Sequence, residues 1–189
     1  MSQSTLKSYA RKTYNFIFHD DSVWSWIVNI VLAFIIVKFI IYPGLSLLLG
    51  TSLPLVAVIS GSMEHDGLNY NTWWEQNGEW YEEQGLTKEM FQEFTLKNGF
   101  NKGDVVILLG VDVPKVGDIL VYSSNIHRYP IIHRVTYIND DENIYQLKGD
   151  NNQVPDQVDV TQNMVIGKAA MVIPKIGWIK IWFTQLVGL

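Results

Sequence analysis

The chain begins with a polar stretch, continues with a long apolar segment, and then alternates between short apolar runs and polar turns. Residues 24–49 are almost all apolar, and Lys38 is the one charged side chain among them. As a helix this segment would be about 39 Å long, more than the roughly 30 Å hydrocarbon core of a bilayer. The pattern therefore predicts a membrane-spanning anchor that tilts or kinks at Pro43. We expect the Lys38 side chain to reach toward one interface, and the alternative is that it faces a partner.

The apolar segment is too long for a cleavable signal peptide, and no clean small-x-small cleavage site follows it. Residues 1–23 carry a basic cluster, Lys7, Arg11 and Lys12, which predicts a cytoplasmic N-terminus by the positive-inside rule. Residues 51–175 would then lie outside the cytoplasm. The apolar residues 176–189 are too few to span a bilayer, and they predict a tail that lies on the membrane.

Beyond residue 50 the pattern is typical of strands and turns. Residues 51–63 form a β-type run that ends in the turn Ser60-Gly61-Ser62. Later apolar runs bounded by Gly, Asn and Asp predict strands at residues 104–109, 119–122, 131–138, 144–148 and 165–173. We therefore expect a mainly β fold with an antiparallel sheet.

Residues 64–100 differ from their surroundings, because they are acidic and rich in tryptophan. They predict a partly helical insert, in which residues 87–97 form a helix with Thr87 as N-cap and Gly99 just past its end. We expect the aromatic side chains to pack into a small subdomain. The alternative is a lid, or a surface that meets the membrane, the substrate or a partner.

Charge and residue composition argue against several classes of function. The net charge is −5, which argues against a nucleic-acid partner. The chain has no cysteine, which excludes disulfides, thiolate zinc sites and cysteine nucleophiles. Its four histidines show no metal-ligand spacing, so we expect no metal.

Three polar features interrupt the β pattern: Ser62 in its turn, His133 within an apolar run, and a polar turn that carries Asp150 and Asp156. Each alone is typical of ordinary structure. Together they supply a nucleophile, a base and a carboxylate that can orient the base. Histidine has the pKa to take the proton of a serine hydroxyl and to return it to a leaving amine.

Five short motifs appear in a fixed order after the predicted anchor: residues 60–64, 103–107, 117–122, 132–135 and 148–152. In this order they resemble the type I signal peptidases, specifically the archaeal and endoplasmic-reticulum branch. The resemblance covers roughly residues 25–175 without the insert. It implies an antiparallel β catalytic domain of signal peptidase type behind a transmembrane helix.

The resemblance also implies roles for single residues. Ser62 matches the catalytic serine, and His133 stands where the bacterial branch has a lysine base. Asp156 matches the catalytic aspartate, with Asp150 as a second candidate for orienting the histidine. Ser60 matches a position that helps to form the oxyanion hole.

The chain departs from this family in three respects. It has His65 where proline is usual, it carries the insert, and its C-terminal span is reduced to the short tail. Because His65 is close to Ser62 in sequence, it is a rival candidate for the base.

The resemblance therefore predicts a serine endopeptidase that removes signal peptides by cutting after small residues. We expect no organic cofactor either, because hydrolysis by a serine nucleophile needs none. Val58 and Ile59 would help to line the shallow pockets that such residues need. We expect preprotein signal peptides and the lipid bilayer as partners, with accessory subunits or a translocon in addition. The expected location is the plasma membrane of an archaeon. The alternatives are a protease for another precursor class, such as surface-filament preproteins, and an inactive membrane-anchored β scaffold.

Overall fold

The computed structural model describes residues 3–187, which form two compact units that meet in sequence between Leu47 and Leu48. The first unit begins with helix α1 (Gln3–His19), which the polar pattern of residues 1–23 does not predict, and continues with helix α2 (Val23–Ile36). Ser22 caps α2 by accepting a hydrogen bond from the backbone N–H of Ser25. The side chains of Ser25 and Asn29 donate to the carbonyls of Phe16 and Ile17, so the polar residues of α2 face α1.

Helix α2 continues through a π-helical turn, Val37–Ile41, into helix α3 (Tyr42–Leu49). The continuous helix Val23–Leu49 has 27 residues, and an 18-residue stretch within it has a mean hydropathy of 2.3, so it is long and apolar enough to cross a membrane. The irregular turn lies just before Pro43, because a proline inside a helix removes one backbone donor and clashes with the preceding turn.

The second unit contains a seven-stranded antiparallel sheet among the described residues, with the strand order β1-β2-β7-β3-β4-β5-β6. The strands are β1 (Leu55–Ala57), β2 (Val105–Leu109), β3 (Ile119–Tyr122), β4 (Ile131–Asn139), β5 (Ile144–Lys148), β6 (Val160–Thr161) and β7 (Val165–Ile173). The mainly β, antiparallel fold is therefore confirmed, and the predicted strands agree with β2–β5 and β7 to within one residue. The run 51–63 contributes only the short edge strand β1.

Two apolar clusters on the sheet form the core of this unit. One surrounds β2 and β7, and the other surrounds β3, β4 and β5. Leu120 and Val121 on β3 are both fully buried, which shows that this central strand is covered on both faces. His133 on β4 stands opposite Leu120, in the middle of this covered region.

The insert is helical, as its composition indicates, but its main helix is not the predicted one. Helix α4 (Tyr70–Glu83) begins at Asn69, whose side chain accepts from the N–H of Thr72. The predicted helix at 87–97 is limited to α5 (Lys88–Gln92), with Thr87 as its N-cap. Both helices pack around a third apolar cluster, which consists of Tyr70, Trp73, Trp74, Tyr81, Leu86 and Phe91.

The tail forms helix α6 (Trp178–Val187). Ile181 is buried, whereas Ile179, Trp182, Phe183 and Leu186 are exposed. An exposed apolar face of this kind is typical of a helix that lies at a membrane interface. Its contact with a bilayer stays a prediction.

Gly117, in the turn before β3, is in close contact with Phe94 of the insert. Its φ is +92°, and a Cβ added there would lie 2.2 Å from Cδ1 of Phe94. We expect Gly117→Ala to lower the free energy of unfolding by about 1–2 kcal/mol for the left-handed backbone and by a further 1–3 kcal/mol or so for the steric overlap. Denaturant unfolding in detergent measures both effects.

Gly85→Ala is the matched control. Gly85 has a φ of +80°, but an added Cβ would meet no atom within 4 Å. This variant should therefore lose only the backbone contribution. Equal losses in the two variants would contradict the proposed clash with Phe94.

Candidate active site

The turn with Ser62 follows β1 and is held by backbone hydrogen bonds. Val58 pairs in both directions with the segment before β2, since its N–H donates to Asp104 and its carbonyl accepts from Gly103. The turn then closes with a bond from the N–H of Glu64 to the carbonyl of Gly61, at 3.1 Å. Within it the hydroxyl groups of Ser60 and Ser62 lie 3.2 Å apart, at hydrogen-bonding distance. The turn thus presents two hydroxyl groups next to each other at the surface.

His133 and Asp156 form the polar pair that the sequence predicts. Nδ1 of His133 lies 2.8 Å and 2.7 Å from the two carboxylate oxygens of Asp156. Both side chains are about nine-tenths buried. Because Nδ1–H donates to the carboxylate, the lone pair of the neutral ring is on Nε2. This is the tautomer that a histidine needs to act as a base.

Tyr122 supports this pair, a role that the sequence pattern does not predict. Its hydroxyl donates to Oδ2 of Asp156 at 2.8 Å. Burial, together with the hydrogen bond to Asp156, raises the pKa of Tyr122 well above its usual range, so the hydroxyl stays a donor. The only signal in the sequence was its place at the end of the motif 117–122.

Ser62, His133 and Asp156 line one cavity of about 570 Å³. Ser60, Val58 and Ile59 line the same cavity, as does Tyr122. The side chains from β1 and the segment after it give the wall an apolar character. Among the described residues the Ser62 hydroxyl bonds to Ser60 and not to His133. Bonds between a nucleophile and its base commonly tighten only when substrate binds.

Asp150, the second candidate for orienting the histidine, is held elsewhere. Its carboxylate accepts from Nε and Nη2 of Arg134 at 2.9 Å and 2.7 Å, in a fully buried ion pair. It also accepts from Nε2 of His65 at 3.1 Å. The structure therefore brings Asp156, and not Asp150, to His133.

The electrostatic setting of Asp150 follows from these partners. Burial alone would raise its pKa, but the charge and hydrogen bonds of Arg134, with a smaller contribution from His65, hold the pKa well below its usual range. Asp150 is therefore ionised throughout the physiological range.

His65, the rival base, does not line the cavity. Its ring is buried and stacks on Trp73, with ring centroids 3.9 Å apart and an interplanar angle of 1°. Its Nε2 is occupied by Asp150, and its Nδ1 has no hydrogen-bond partner among the described residues. No group of three or more side chains that could hold a metal ion occurs within residues 3–187.

The antiparallel sheet and the apolar helix ahead of it are consistent with a signal-peptidase-like domain. The chain is similar to signal peptidase complex catalytic subunits SEC11 from several eukaryotes. The SEC11 of Scheffersomyces stipitis is 29% identical over 160 residues, which is 79% of this chain and 76% of the relative. That of Eremothecium gossypii is 27% identical over 159 residues, 78% of this chain and 75% of the relative.

The SEC11 of Yarrowia lipolytica is also 27% identical, over 162 residues that make up 78% of this chain and 73% of the relative. No protein-family model matches the chain. The chain is a homologue of the SEC11 catalytic subunits, which confirms the resemblance that the five motifs indicate.

The ion pair of Asp150 predicts a specific dependence of stability on pH. The unfolded carboxyl has a pKa of about 3.9, and the folded pKa is lower, so the stabilisation is present above this pH and is lost as the pH falls below it. Asp150→Asn leaves a buried arginine unpaired and should cost about 3–5 kcal/mol at neutral pH.

The difference in unfolding free energy between the natural protein and Asp150→Asn should narrow as the pH falls below about 4. Urea unfolding at several pH values measures it. Asp141→Asn, at an exposed turn, is the control and should show no such change. A difference that stays constant down to low pH would contradict the lowered pKa of Asp150.

Proposed function

We propose that the protein is a membrane-bound serine endopeptidase that removes signal peptides from preproteins. The observation that carries this proposal is the placing of Ser62 on the same cavity as the His133–Asp156 pair. The similarity to signal peptidase catalytic subunits supports the reaction class. The chemistry of these three side chains supports the serine mechanism.

In this mechanism Nε2 of His133 takes the proton of the Ser62 hydroxyl as the oxygen attacks the scissile carbonyl. Asp156 keeps the ring in the required tautomer and stabilises the imidazolium. The imidazolium then protonates the leaving amine, which leaves an acyl-enzyme on Ser62. Water, activated by the same histidine, hydrolyses the ester and regenerates the hydroxyl.

Negative charge develops on the carbonyl oxygen during attack and needs donors aimed at it. The backbone N–H of Ser62 and the hydroxyl of Ser60 are the proposed donors. Ser60 lies in the same turn, and its oxygen is 3.2 Å from that of Ser62, so it is close to the reacting carbon. Asp150 has no direct part in this scheme, because its carboxylate is buried on Arg134.

The substrate would bind in extended form beside β1, which is one of the two edge strands of the sheet among the described residues. Val58 and Ile59 line the cavity directly ahead of the Ser62 turn, together with Val56 and Ala57. Leu55, the first residue of β1, does not line it. An apolar wall close to the nucleophile suits small residues before the cleavage site.

The helix Val23–Leu49 is the proposed anchor, which raises the local concentration of enzyme and membrane-bound preprotein. The N-terminus would be cytoplasmic and the sheet unit extracytoplasmic. The comparisons give no support to an archaeal plasma membrane, since the relatives are eukaryotic. These relatives are named as subunits of a complex, and we propose accessory subunits for this chain too.

Ser62→Ala should abolish cleavage of a preprotein that carries an alanine-x-alanine site, with a loss of at least about 10³-fold, because the nucleophile is removed. Cleavage is followed by gel mobility and by sequencing the new N-terminus. Ser52→Ala, at an exposed serine outside the cavity, is the matched control and should retain full activity.

Retained cleavage in Ser62→Ala would refute the serine mechanism. A surface-filament precursor is assayed in parallel, because it represents the alternative substrate class. Preferential cleavage of that precursor by the natural enzyme would replace the proposed substrate.

The proposed topology can be tested because the chain has no cysteine. We expect Gln3→Cys to react with a membrane-impermeant maleimide in sealed vesicles whose cytoplasmic face points outward. Asp141→Cys should react only after detergent is added, since the basic N-terminal cluster stays on the cytoplasmic side. The reverse pattern would overturn the assignment.

A further inference from the structure

The helical insert supplies two side chains to the buried carboxylate of Asp150. Tyr81 on α4 donates its hydroxyl to Oδ1 at 3.3 Å. His65, at the start of the insert, binds Oδ2 and is held in place by the parallel ring of Trp73 on the same helix. Burial and the neighbouring Asp150 raise the pKa of Tyr81 far above its usual range, so it remains a donor.

The other side of this carboxylate is closed by Arg134, which also binds the insert. Its five N–H donors are all used, two by Asp150, one by the carbonyl of Gly117, and two by the carbonyls of Thr95 and Leu96 in the insert. The guanidinium also lies 4.6 Å from the ring of Phe91 on α5. Arg134 therefore ties the insert to β4.

The loop that carries Asp150 contacts the Ser62 turn directly. The N–H of Asn151 donates to the carbonyl of Ser62 at 2.8 Å, and its side chain donates to the carbonyl of Gly61 at 3.2 Å. A Cβ added at Gly149 would lie only 2.7 Å from the carbonyl oxygen of Ser62, so the two segments are in close contact. Displacement of this loop must therefore move the Ser62 turn.

We propose that His65, Trp73 and Tyr81 are positioning residues, through which the insert holds the loop 149–152 and so fixes the Ser62 turn for reaction. The insert is then an internal brace behind the site, and not a lid over the cavity. No residue of α4 or α5 lines the cavity. The inference rests on the proposed role of Ser62.

The strength of the brace comes from burial. Asp150 is fully shielded from water, so losing one donor leaves part of a charged group unsatisfied. The loop can recover that hydrogen bond only by moving toward water, and Asn151 would move with it. Small displacements of a reacting group cost up to about 10²-fold in rate.

The central test compares two tyrosines of the same cluster. Tyr81→Phe removes the hydroxyl that donates to Asp150 and accepts from Nζ of Lys148, the residue before the loop. Tyr70→Phe removes a hydroxyl that donates to the carbonyl of Lys88 within the insert. A fluorophosphonate probe, which forms a phosphonyl ester with a reactive Ser62 hydroxyl and releases fluoride, reports reactivity without a preprotein. We expect about tenfold slower labelling in Tyr81→Phe and natural rates in Tyr70→Phe.

Amide hydrogen exchange supplies a readout that does not depend on chemistry. The N–H of Asn151 should exchange about tenfold faster in Tyr81→Phe than in Tyr70→Phe, because the loop is no longer held. Natural exchange and labelling in Tyr81→Phe, or equal changes in both variants, would overturn the brace. A third result separates the two proposals. If Asn151 exchanges faster in Tyr81→Phe but the natural protein shows no Ser62-dependent labelling, the brace is retained and the serine mechanism is rejected.

His65 provides a second test that also separates the brace from a rival base. His65→Ala removes the donor to Asp150, whereas His65→Gln keeps an N–H at a similar reach. We expect kcat to fall about tenfold in the first variant with little change in KM, and to be largely restored in the second. Loss of activity in both variants, together with loss of the acid limb of the pH profile, would make His65 the base and overturn the proposal.

Discussion

The fully buried ion pair between Arg134 and Asp150 is the interaction on which the rest of this domain depends. Removing two charges from water costs free energy. Their attraction offsets this cost only where the geometry is good and the remaining lone pairs and protons also form hydrogen bonds. Here the arginine uses every N–H and the carboxylate has four donors. The pair joins β4 to the loop after β5, and Arg134 also binds the insert, which precedes both in sequence.

The geometry of β4 explains how one strand serves both this pair and the candidate site. Successive side chains of a strand point to opposite faces, so His133 and Arg134 are directed to different sides of the sheet. His133 contacts the cavity and Asp156, while Arg134 contacts the insert and Asp150. Of the two aspartates in residues 148–156, Asp156 is therefore the partner of the histidine, and Asp150 forms the buried ion pair with Arg134.

The sequence predicted the strands better than the helices, for a physical reason. Strands β3, β5 and β7 are short apolar runs bounded by turn residues, and this local signal survives in the folded chain. Helix α4 has no comparable signal, because its bulky aromatic side chains and Gly78 have low helix propensity. It is stabilised by the aromatic cluster around Trp73 and Phe91, which only tertiary packing creates.

The sequence by itself determined the apolar segment 24–49, the antiparallel β class and the motifs that contain Ser62, His133, Asp150 and Asp156. These depend on local periodicity and on residue type, which are present in the unfolded chain. Only the tertiary structure decided that Asp156 meets His133, that Tyr122 supports this pair, and that His65 belongs to the insert and not to the cavity. Such assignments depend on which side chains long loops bring together and bury, and a charge or hydrogen bond acts strongly only where water is excluded.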